Sequence, residues 1–502
     1  MTPMRDRTTM TDGLSTRRKA LATAGVTLAL LLASLDQSIV GTALPRIVAE
    51  LHGLTFYSWV VTAYIVSSAV MTPIAGKLGD LFGRKPFVLA GMLGFLAASW
   101  LCGLSQTMLM LTLLRAVQGV FGGILTASVF AVVADIFPPA QLAKTQGIFG
   151  GVFGFSVLVG PTAGGWITDH LGWRWVFYVN LPVGVIGLLL VLAFLPSVRS
   201  SATWRDIDLL GSVTLAAGVV PLLVALSLTA THAWLSPPVL GLLALAVVLL
   251  ATFAVIERRA AQPVVPFALF RHNAVWVSLT VAFFAAVAQF GAGIYIPLLY
   301  QKVLGVSATN SGTLLTPMLL AMLVTGLPAG WVMVRLRHYR FLNTVGLALV
   351  IGGLVLLATI TPSSGRWEVV RDIVVVGMGL GLLFPLATAV VQVALPRQVV
   401  GVATGQVQFW RLLGGAMGTA VLGALLTGRL DAAAQRHIPA PLALSAALHT
   451  VFLTVAAVLV IALVASVFLR EVPLRGRPGA GEQAASTDND PERRTVRQEA
   501  AG

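Results

Sequence analysis

The amino-acid sequence predicts an all-α integral membrane protein with fourteen transmembrane helices, and three observations carry that prediction. Hydrophobic residues make up 57% of the 502-residue chain and charged residues only 10%, whereas a soluble protein carries roughly a quarter charged residues. Apolar runs of about 20 residues, the length a helix needs to cross hydrocarbon, recur from Ala20 to Phe468. Basic residues gather in alternate connecting loops, as they do when one set of loops faces the cytoplasm.

The first run, Ala20–Leu44, is a retained span and not a cleaved signal, because further runs follow it to the end of the apolar region. Five more are expected at Trp59–Leu78, Phe87–Leu104, Met108–Ala134, Gly147–Ile167 and Val176–Leu195. A pair follows at Leu209–Ala230 and Val239–Ile256. The last six are expected at Ala274–Leu298, Leu314–Val334, Phe341–Ile360, Ile373–Ala394, Val402–Thr427 and Ala443–Phe468. An even number of spans puts both termini on one side. One set of segments holds Arg17, Arg18, Lys19, Lys77, Arg84, Lys85, Lys144, Arg258, Arg259, Arg335, Arg337 and Arg340, among others. The opposite loops hold only Arg46, Arg174, Lys302, Arg366, Arg371, Arg429 and Arg436. Both termini are therefore expected in the cytoplasm. The net charge of +14 reflects topology, and no nucleic-acid partner is expected. The single cysteine, Cys102, excludes a disulfide framework. From Glu471 onward the chain is polar and aperiodic and reads as a disordered cytoplasmic tail.

An internal repeat organises the spans. Gly147, Gly151, Phe155, Gly160 and Gly164 superimpose on Gly401, Gly405, Phe409, Gly414 and Gly418 at one fixed offset, which also places Ala75-Gly76 on Ala329-Gly330. The offset covers eight helices, as expected of six-helix halves separated by a two-helix insertion. The chain divides accordingly into 1–200 (first six-helix bundle), 201–262 (two inserted helices), 263–471 (second six-helix bundle) and 472–502 (tail).

Several strings carry more than packing. After the second span comes Gly76-Lys-Leu-Gly79-Asp80-Leu-Phe-Gly83-Arg84-Lys85-Pro86. Its glycines permit tight approach, and Asp80 is suited to meet a helix N-terminus or an arginine. The second-half copy keeps Gly330 but has Val334 where Asp80 would fall. The first span carries Leu35-Asp36-Gln-Ser38-Ile39-Val40-Gly41, and the fourth Leu114-Arg115-Ala-Val-Gln118-Gly119. The fifth carries Gly160-Pro161-Thr-Ala-Gly164-Gly165, and the sixth opens Trp173-Arg174-Trp175 and continues to Asn180-Leu-Pro182. Taken together, these strings closely resemble the major facilitator superfamily, and within it the fourteen-span drug:proton antiporters of EmrB/QacA type. The departures are Ser38 and Gly41 where Thr and Asn are usual, and Ser156 where a further glycine is common.

The resemblance implies the major facilitator fold, with the Gly76–Lys85 loop as a latch between halves and Gly160, Pro161, Gly164 and Gly165 as the bend and seal of an antiporter. It implies proton-coupled efflux of hydrophobic, cationic or amphipathic drugs or antibiotics across a bacterial plasma membrane, by a chain that works as a monomer without a cofactor. A dedicated exporter of an endogenous antibiotic, siderophore or lipid is the alternative reading. An integral-membrane enzyme is a third, disfavoured because no cluster of nucleophiles or metal ligands converges near an interface, and no metal is expected. No phosphate-binding loop is present either, so the energy is expected from an ion gradient.

Charges within the spans locate the coupling site. An acid in hydrocarbon is costly unless it is paired, protonated or hydrated. Asp36 lies ~12 Å and Arg115 ~10 Å from the outer ends of their spans at 1.5 Å per residue. The two are therefore expected to pair in a water-lined cavity and to couple proton movement to transport. Arg411 lies ~15 Å into the thirteenth span and has no acid in the second-half spans to pair with, Asp372 being at a helix end. It is expected either in the central cavity beside Gln406 or Gln408, against an anionic substrate group, across the halves from Asp36, or on backbone carbonyls. Ser38, Tyr64, Gln118, Gln289, Tyr295 and Trp59 are candidate cavity liners.

Overall fold

Helix formation is forced on such a chain, because hydrocarbon offers no partner for a free backbone N–H or C=O. The computed structural model describes residues 15–471 apart from 53–55, 138, 198–202, 204–205, 230, 303–314, 337–338, 362–363 and 397–398. The expected tail, 472–502, lies outside the described residues, as do Arg199, Arg205, Arg337 and Arg397 of the basic set expected on the cytoplasmic side. Among the described residues the regular structure is helical throughout, and 14 helical segments are long and apolar enough to cross a membrane.

In chain order the helices are α1 (Thr16–Leu51), α2 (Tyr57–Phe82), α3 (Arg84–Gly103), α4 (Met108–Ile136), α5 (Pro139–His170), α6 (Trp175–Tyr178) and α7 (Asn180–Phe194). A hairpin follows, α8 (Leu209–Leu228) and α9 (Pro237–Glu257), and then a 3-10 turn at Phe267–Arg271. The last six are α10 (Asn273–Lys302), α11 (Thr316–Leu336), α12 (Tyr339–Leu357), α13 (Arg366–Ala394), α14 (Val400–Gln435) and α15 (Ala440–Val467). Each expected span has its helix, and most ends agree within a few residues; α1 runs to Leu51 and α14 to Gln435, past the expected ends at Leu44 and Thr427, while α5 begins at Pro139 and α13 at Arg366, before the expected starts at Gly147 and Ile373. Polar ends such as Arg46-Ile-Val-Ala-Glu50 continue these helices beyond the apolar run, because hydropathy limits a span and not a helix.

The sixth span is broken. α6 and α7 together make one membrane-crossing segment, interrupted at Val179. Pro182 has no N–H to give the carbonyl four residues earlier, so the ladder is weakened where Asn180 must turn inward. Conversely, α5 continues through Pro161 and α2 through Pro73 as single helices. The turn between α2 and α3 is made by Gly83 at φ 93°, a left-handed conformation that costs a side-chain-bearing residue energy.

Helices α1–α7 pack chiefly on one another, and α10–α15 likewise. The two groups meet where α2 and α4 touch α14, and where α5 touches α11 and α13. The hairpin α8–α9 is laid by α8 against both α2 and α14, and the Thr62 and Ser227 hydroxyls are bonded there at 3.0 Å. It thereby covers one of the two seams between the groups. α9 is the most exposed span, only 17% buried along its apolar window, as befits a helix bathed in lipid.

The groups are closed against each other at the end that carries the basic loops. A Cβ on Gly76 would come within 2.6 Å of the Gly401 carbonyl, and one on Gly147 within 2.7 Å of the Leu327 carbonyl. Gln146 donates to Gln392 at 2.9 Å, and Gln392 donates to the Phe130 carbonyl at 2.8 Å. Toward the other end, a Cβ on Gly41, Gly165 or Gly293 would meet nothing within 4 Å, and Gln37, Gly41, Thr42, Pro161 and Thr162 are exposed. Small residues let backbones meet where no hydrophobic force draws helices together in lipid.

Replacing Gly147 with Leu is expected to wedge α5 from α11 and unseal the basic end. In a C102A background, a cysteine at Thr388, buried behind that seal, should react about fivefold faster with a water-soluble maleimide applied from the basic side, as expected of a lost small-residue contact. An unchanged rate would show that the seal does not depend on this glycine.

Candidate functional site

Within the first group, one buried polar network joins five helices. Asp36 on α1 is 0% exposed and Arg115 on α4 is 1% exposed. The Arg115 Nη1 donates to Asp36 Oδ2 at 2.5 Å and to Gln118 Oε1 at 2.8 Å, while its Nε donates to the Val60 carbonyl at 3.4 Å. Its guanidinium lies 4.3 Å from the Tyr64 ring centroid on α2, in a cation–π contact. The other carboxylate oxygen, Oδ1, accepts from Gln118 Nε2 at 3.0 Å and from Asn180 Nδ2 at 3.0 Å. Asn180 also donates to Ser99 on α3 at 3.0 Å. Both carboxylate oxygens are therefore hydrogen-bonded, as a buried charge demands.

Three expectations are corrected here. Asp36 and Arg115 do pair, but in a sealed interior and not in a water-lined cavity, because α2, α3, α4 and α7 close around them. Gln118 and Tyr64 do not line a cavity: the first is a bridge between the two charges, and the second is buried as a lid over Arg115. Tyr64 is locked there because Gly119 and Gly122 of α4 leave room only for its backbone and ring. Asn180 was not singled out from the sequence, although it stands in the sixth-span string. Its signal was an amide in an apolar run next to a proline, which periodicity alone reads as a helix start.

The Gly160 and Gly164 pair brings α5 onto α1 beside this network. A Cβ on Gly160 would strike Ser38, and one on Gly164 would lie 2.9 Å from the Ile39 carbonyl. Ser38, half-buried, donates to the Ser34 carbonyl at 3.3 Å and sits under α5, not in open space. Gly165 and Pro161 face away, toward open surroundings. The turn of α1 that carries Asp36 is thus clamped by α5.

At the basic end, Asp80 accepts from the Gly401 and Val402 N–H groups at 3.1 and 2.8 Å. It caps the positive end of α14 across the two groups. It also holds an ion pair with Arg84, whose Nε reaches Asp135 at 3.2 Å and whose Nη1 reaches the Gly76 carbonyl at 3.4 Å. Gly79 leaves room for this guanidinium, since its Cβ would lie 2.9 Å from Arg84 Nη1. Lys85 donates to the Leu192 carbonyl at 2.7 Å.

The remaining candidates lie in or near the second group. Arg411 on α14 lies 4.8 Å from the Phe153 ring of α5 and 5.0 Å from the Phe384 ring of α13. It lines a cavity of about 30 Å³ with Gln408, Gln146 and Thr388. Gln406 is buried elsewhere, with Nε2 unpartnered, and Arg411 does not reach Asp36, which Arg115 occupies. Tyr295 is buried, whereas Gln289 and Trp59 are half-buried. A groove of about 610 Å³ runs along the outside of the α8–α9 hairpin and is lined by apolar residues such as Val213, Pro221 and Leu245. It offers no polar group for recognition and faces lipid. Among the described residues no group of three His, Cys, Asp or Glu could hold a metal ion.

Comparison with known proteins agrees with this architecture. A family model for the Major Facilitator Superfamily matches residues 26–419. The chain is 37% identical over 419 residues to the multidrug transporter protein MdtP of Bacillus subtilis (strain 168), covering 83% of this chain and 77% of that protein. It is 34% identical over 406 residues to multidrug resistance protein 3 of the same organism, covering 80% and 78%. It is 32% identical over 420 residues to the tetracenomycin C resistance and export protein of Streptomyces glaucescens, covering 82% and 78%. The crystal structure of the human organic anion transporter MFSD10 (TETRAN) superimposes with a TM-score of 0.61 at 16% identity, covering 90% of this chain and 99% of that one. That last likeness is one of fold.

Replacing Asp80 with Asn removes the charge that both α14 and Arg84 address. Hydrogen bonds to a charged group contribute about 1.5–3 kcal/mol, so closure of the basic end is expected to weaken by about tenfold or more. Spin labels on cysteines at Leu78 and Val399 should show a longer-distance population absent from the parent. Identical distance distributions would exclude Asp80 as the latch.

Proposed function

The chain belongs to the major facilitator superfamily, and on that premise we propose that it is a proton-coupled antiporter exporting hydrophobic or amphipathic drugs or antibiotics from the cell. It is a multi-pass transporter and not an enzyme. The proposal places the basic loops and both termini in the cytoplasm. It also takes α1–α7 and α10–α15 as two six-helix halves with α8–α9 inserted, acting as a monomer on the proton gradient without a cofactor. In that orientation the structure is the state closed to the cytoplasm.

The observation that carries the reading is the sealed Asp36–Arg115 pair under the α1–α5 clamp. Breaking a buried ion pair by removing one charge costs roughly 3–5 kcal/mol. A proton arriving at Asp36 from outside does this chemically: the carboxyl turns from a pure acceptor into a donor, and Arg115 loses its counter-charge. Arg115, Gln118 and Asn180 must then rearrange, and with them α4, α7 and the α1 turn that Gly160 and Gly164 grip. Because α5 spans from this clamp to the seal at Gly147, protonation at one point bears on closure at the other. Cargo bound between the halves biases the same closure, which is what reciprocal coupling requires.

A cationic cargo expected at Asp36 would have to displace Arg115, Gln118 and Asn180 together, so cargo recognition is better sought where the halves meet. The relatives' names support efflux of drugs and of an antibiotic. Similarity to a tetracenomycin C export protein favours, as a second reading, a dedicated exporter of an endogenous product by the same mechanism.

Asp36→Asn keeps the shape and one acceptor but cannot carry the proton. In everted vesicles it should abolish efflux driven by a proton gradient while substrate counterflow continues. Gradient-driven efflux at the parent rate would sink the coupling role.

A further inference from the structure

We propose that Arg411 is an anion-recognition site at the joint between the halves, taking the carboxylate or phenolate of an aromatic cargo. The inference rests on the export reading above and names the cargo class.

Arg411 lies ~16 Å along α14 from Val400 at 1.5 Å per residue, which is near mid-membrane. A guanidinium cannot shed its charge in a protein, and an arginine at the centre of a span costs at least about 2.5–3.5 kcal/mol. Such a residue is expected to point at an acid or at backbone carbonyls. Here it does neither: among the described residues no acceptor and no carboxylate bonds it. The acids of the second group stand elsewhere, with Asp372 engaged by Arg371 at 2.8 Å. Asp36 is consumed by Arg115. The contacts of Arg411 are the faces of Phe153 and Phe384, each worth roughly 0.5–2 kcal/mol. They stabilise a cation without neutralising it.

The surroundings describe what completes the site. The cavity beside the guanidinium is about 30 Å³, room for about two waters at the ~10–15 Å³ that each needs. It admits the oxygens of an acidic group and not the body of a drug. Gln408 and Thr388 line the same space and supply further hydrogen-bonding groups. Phe153 and Phe384 border the same space, so an aromatic body attached to that acidic tip would meet their rings once the joint opens. A cation is excluded by the charge of Arg411 itself. The rings come from opposite halves, Phe153 on α5 and Phe384 on α13, so an anion bound here sits on the joint that must move. Phe153 and Gly160 are seven residues apart on α5, ~10 Å along one helix. Cargo at Arg411 and proton at Asp36 thus act on the same helix at separate places, and need not compete for one charge.

The test is binding of two xanthene dyes to the purified full chain in lipid nanodiscs, followed by fluorescence anisotropy. Fluorescein is anionic; rhodamine 6G is an esterified cation with a similar ring system. The parent is expected to bind fluorescein at least about tenfold more tightly than rhodamine 6G, a difference of about 1.4 kcal/mol. Arg411→Gln should lose at least about that tenfold for fluorescein and change rhodamine 6G by less than about twofold. Arg411→Lys, which keeps the charge but not the planar fork, should fall between. Fluorescein binding unchanged in R411Q, tighter binding of rhodamine 6G by the parent, or parallel loss of both dyes in R411Q would each overturn the site. Proton-driven efflux in everted vesicles is read separately. Its absence with binding intact defeats the export reading and leaves the anion site standing.

Discussion

A carboxylate and a guanidinium cannot be left apart in hydrocarbon, and the first half of this molecule is organised around keeping them together. The pair by itself would be incomplete, since Asp36 presents two oxygens and Arg115 a fork of donors. Gln118 and Asn180 fill the second oxygen, the Val60 carbonyl takes another donor, and Tyr64 covers the guanidinium. The partners come from α2, α4 and α7, so the network fixes how α1, α2, α4 and α7 lie against one another. The break between α6 and α7 is part of the same arrangement, since it turns Asn180 toward the acid. A network that is satisfied in one protonation state and violated in the other has the bistability that a coupled transporter needs.

The second constraint is backbone proximity. In lipid there is little hydrophobic force between helices, so contact is made where side chains are absent. Gly76 against Gly401, Gly147 against Leu327 and Gly160 against Ser38 place such contacts at the latch, the seal and the clamp. Asp80 adds direction, because it caps a helix of the opposite group. These contacts lie on α2 and α5, the two helices of the first group that face the second most closely. The groups meet along α2 and α4 against α14 and along α5 against α11 and α13, and the glycine contacts at Gly76 and Gly147 are where backbones come nearest across that interface.

The hairpin α8–α9 makes the molecule asymmetric. It lies on the α2–α14 seam and leaves the α5–α11 seam uncovered. Arg411 belongs to the uncovered side, held between Phe153 and Phe384. The charge available to a ligand between the halves is thus positive, while the negative charge of Asp36 is internal and already matched. The proposed proton site and the proposed cargo site therefore lie in different parts of the structure, joined by α5.

Composition and run length by themselves determined the class, the helix count and nearly every span, because the requirement that lipid places on a backbone is local and can be read residue by residue. Depth along two spans also placed Asp36 and Arg115 at one level, since rise per residue is the same in any helix. What a single chain cannot encode locally is which face of a helix meets which neighbour. Only the tertiary structure decided that Gln118 and Tyr64 belong to a sealed network and not to a cavity, that Asn180 joins it, and that Ser38 lies beneath α5. The same holds for Arg411. The sequence left its partner open among an anion, Asp36 and backbone carbonyls, and packing left it between two rings, with no counter-charge among the described residues. Hydrocarbon dictates that a span must be helical; only the neighbours dictate which of its polar side chains are shut away and which wait for a ligand.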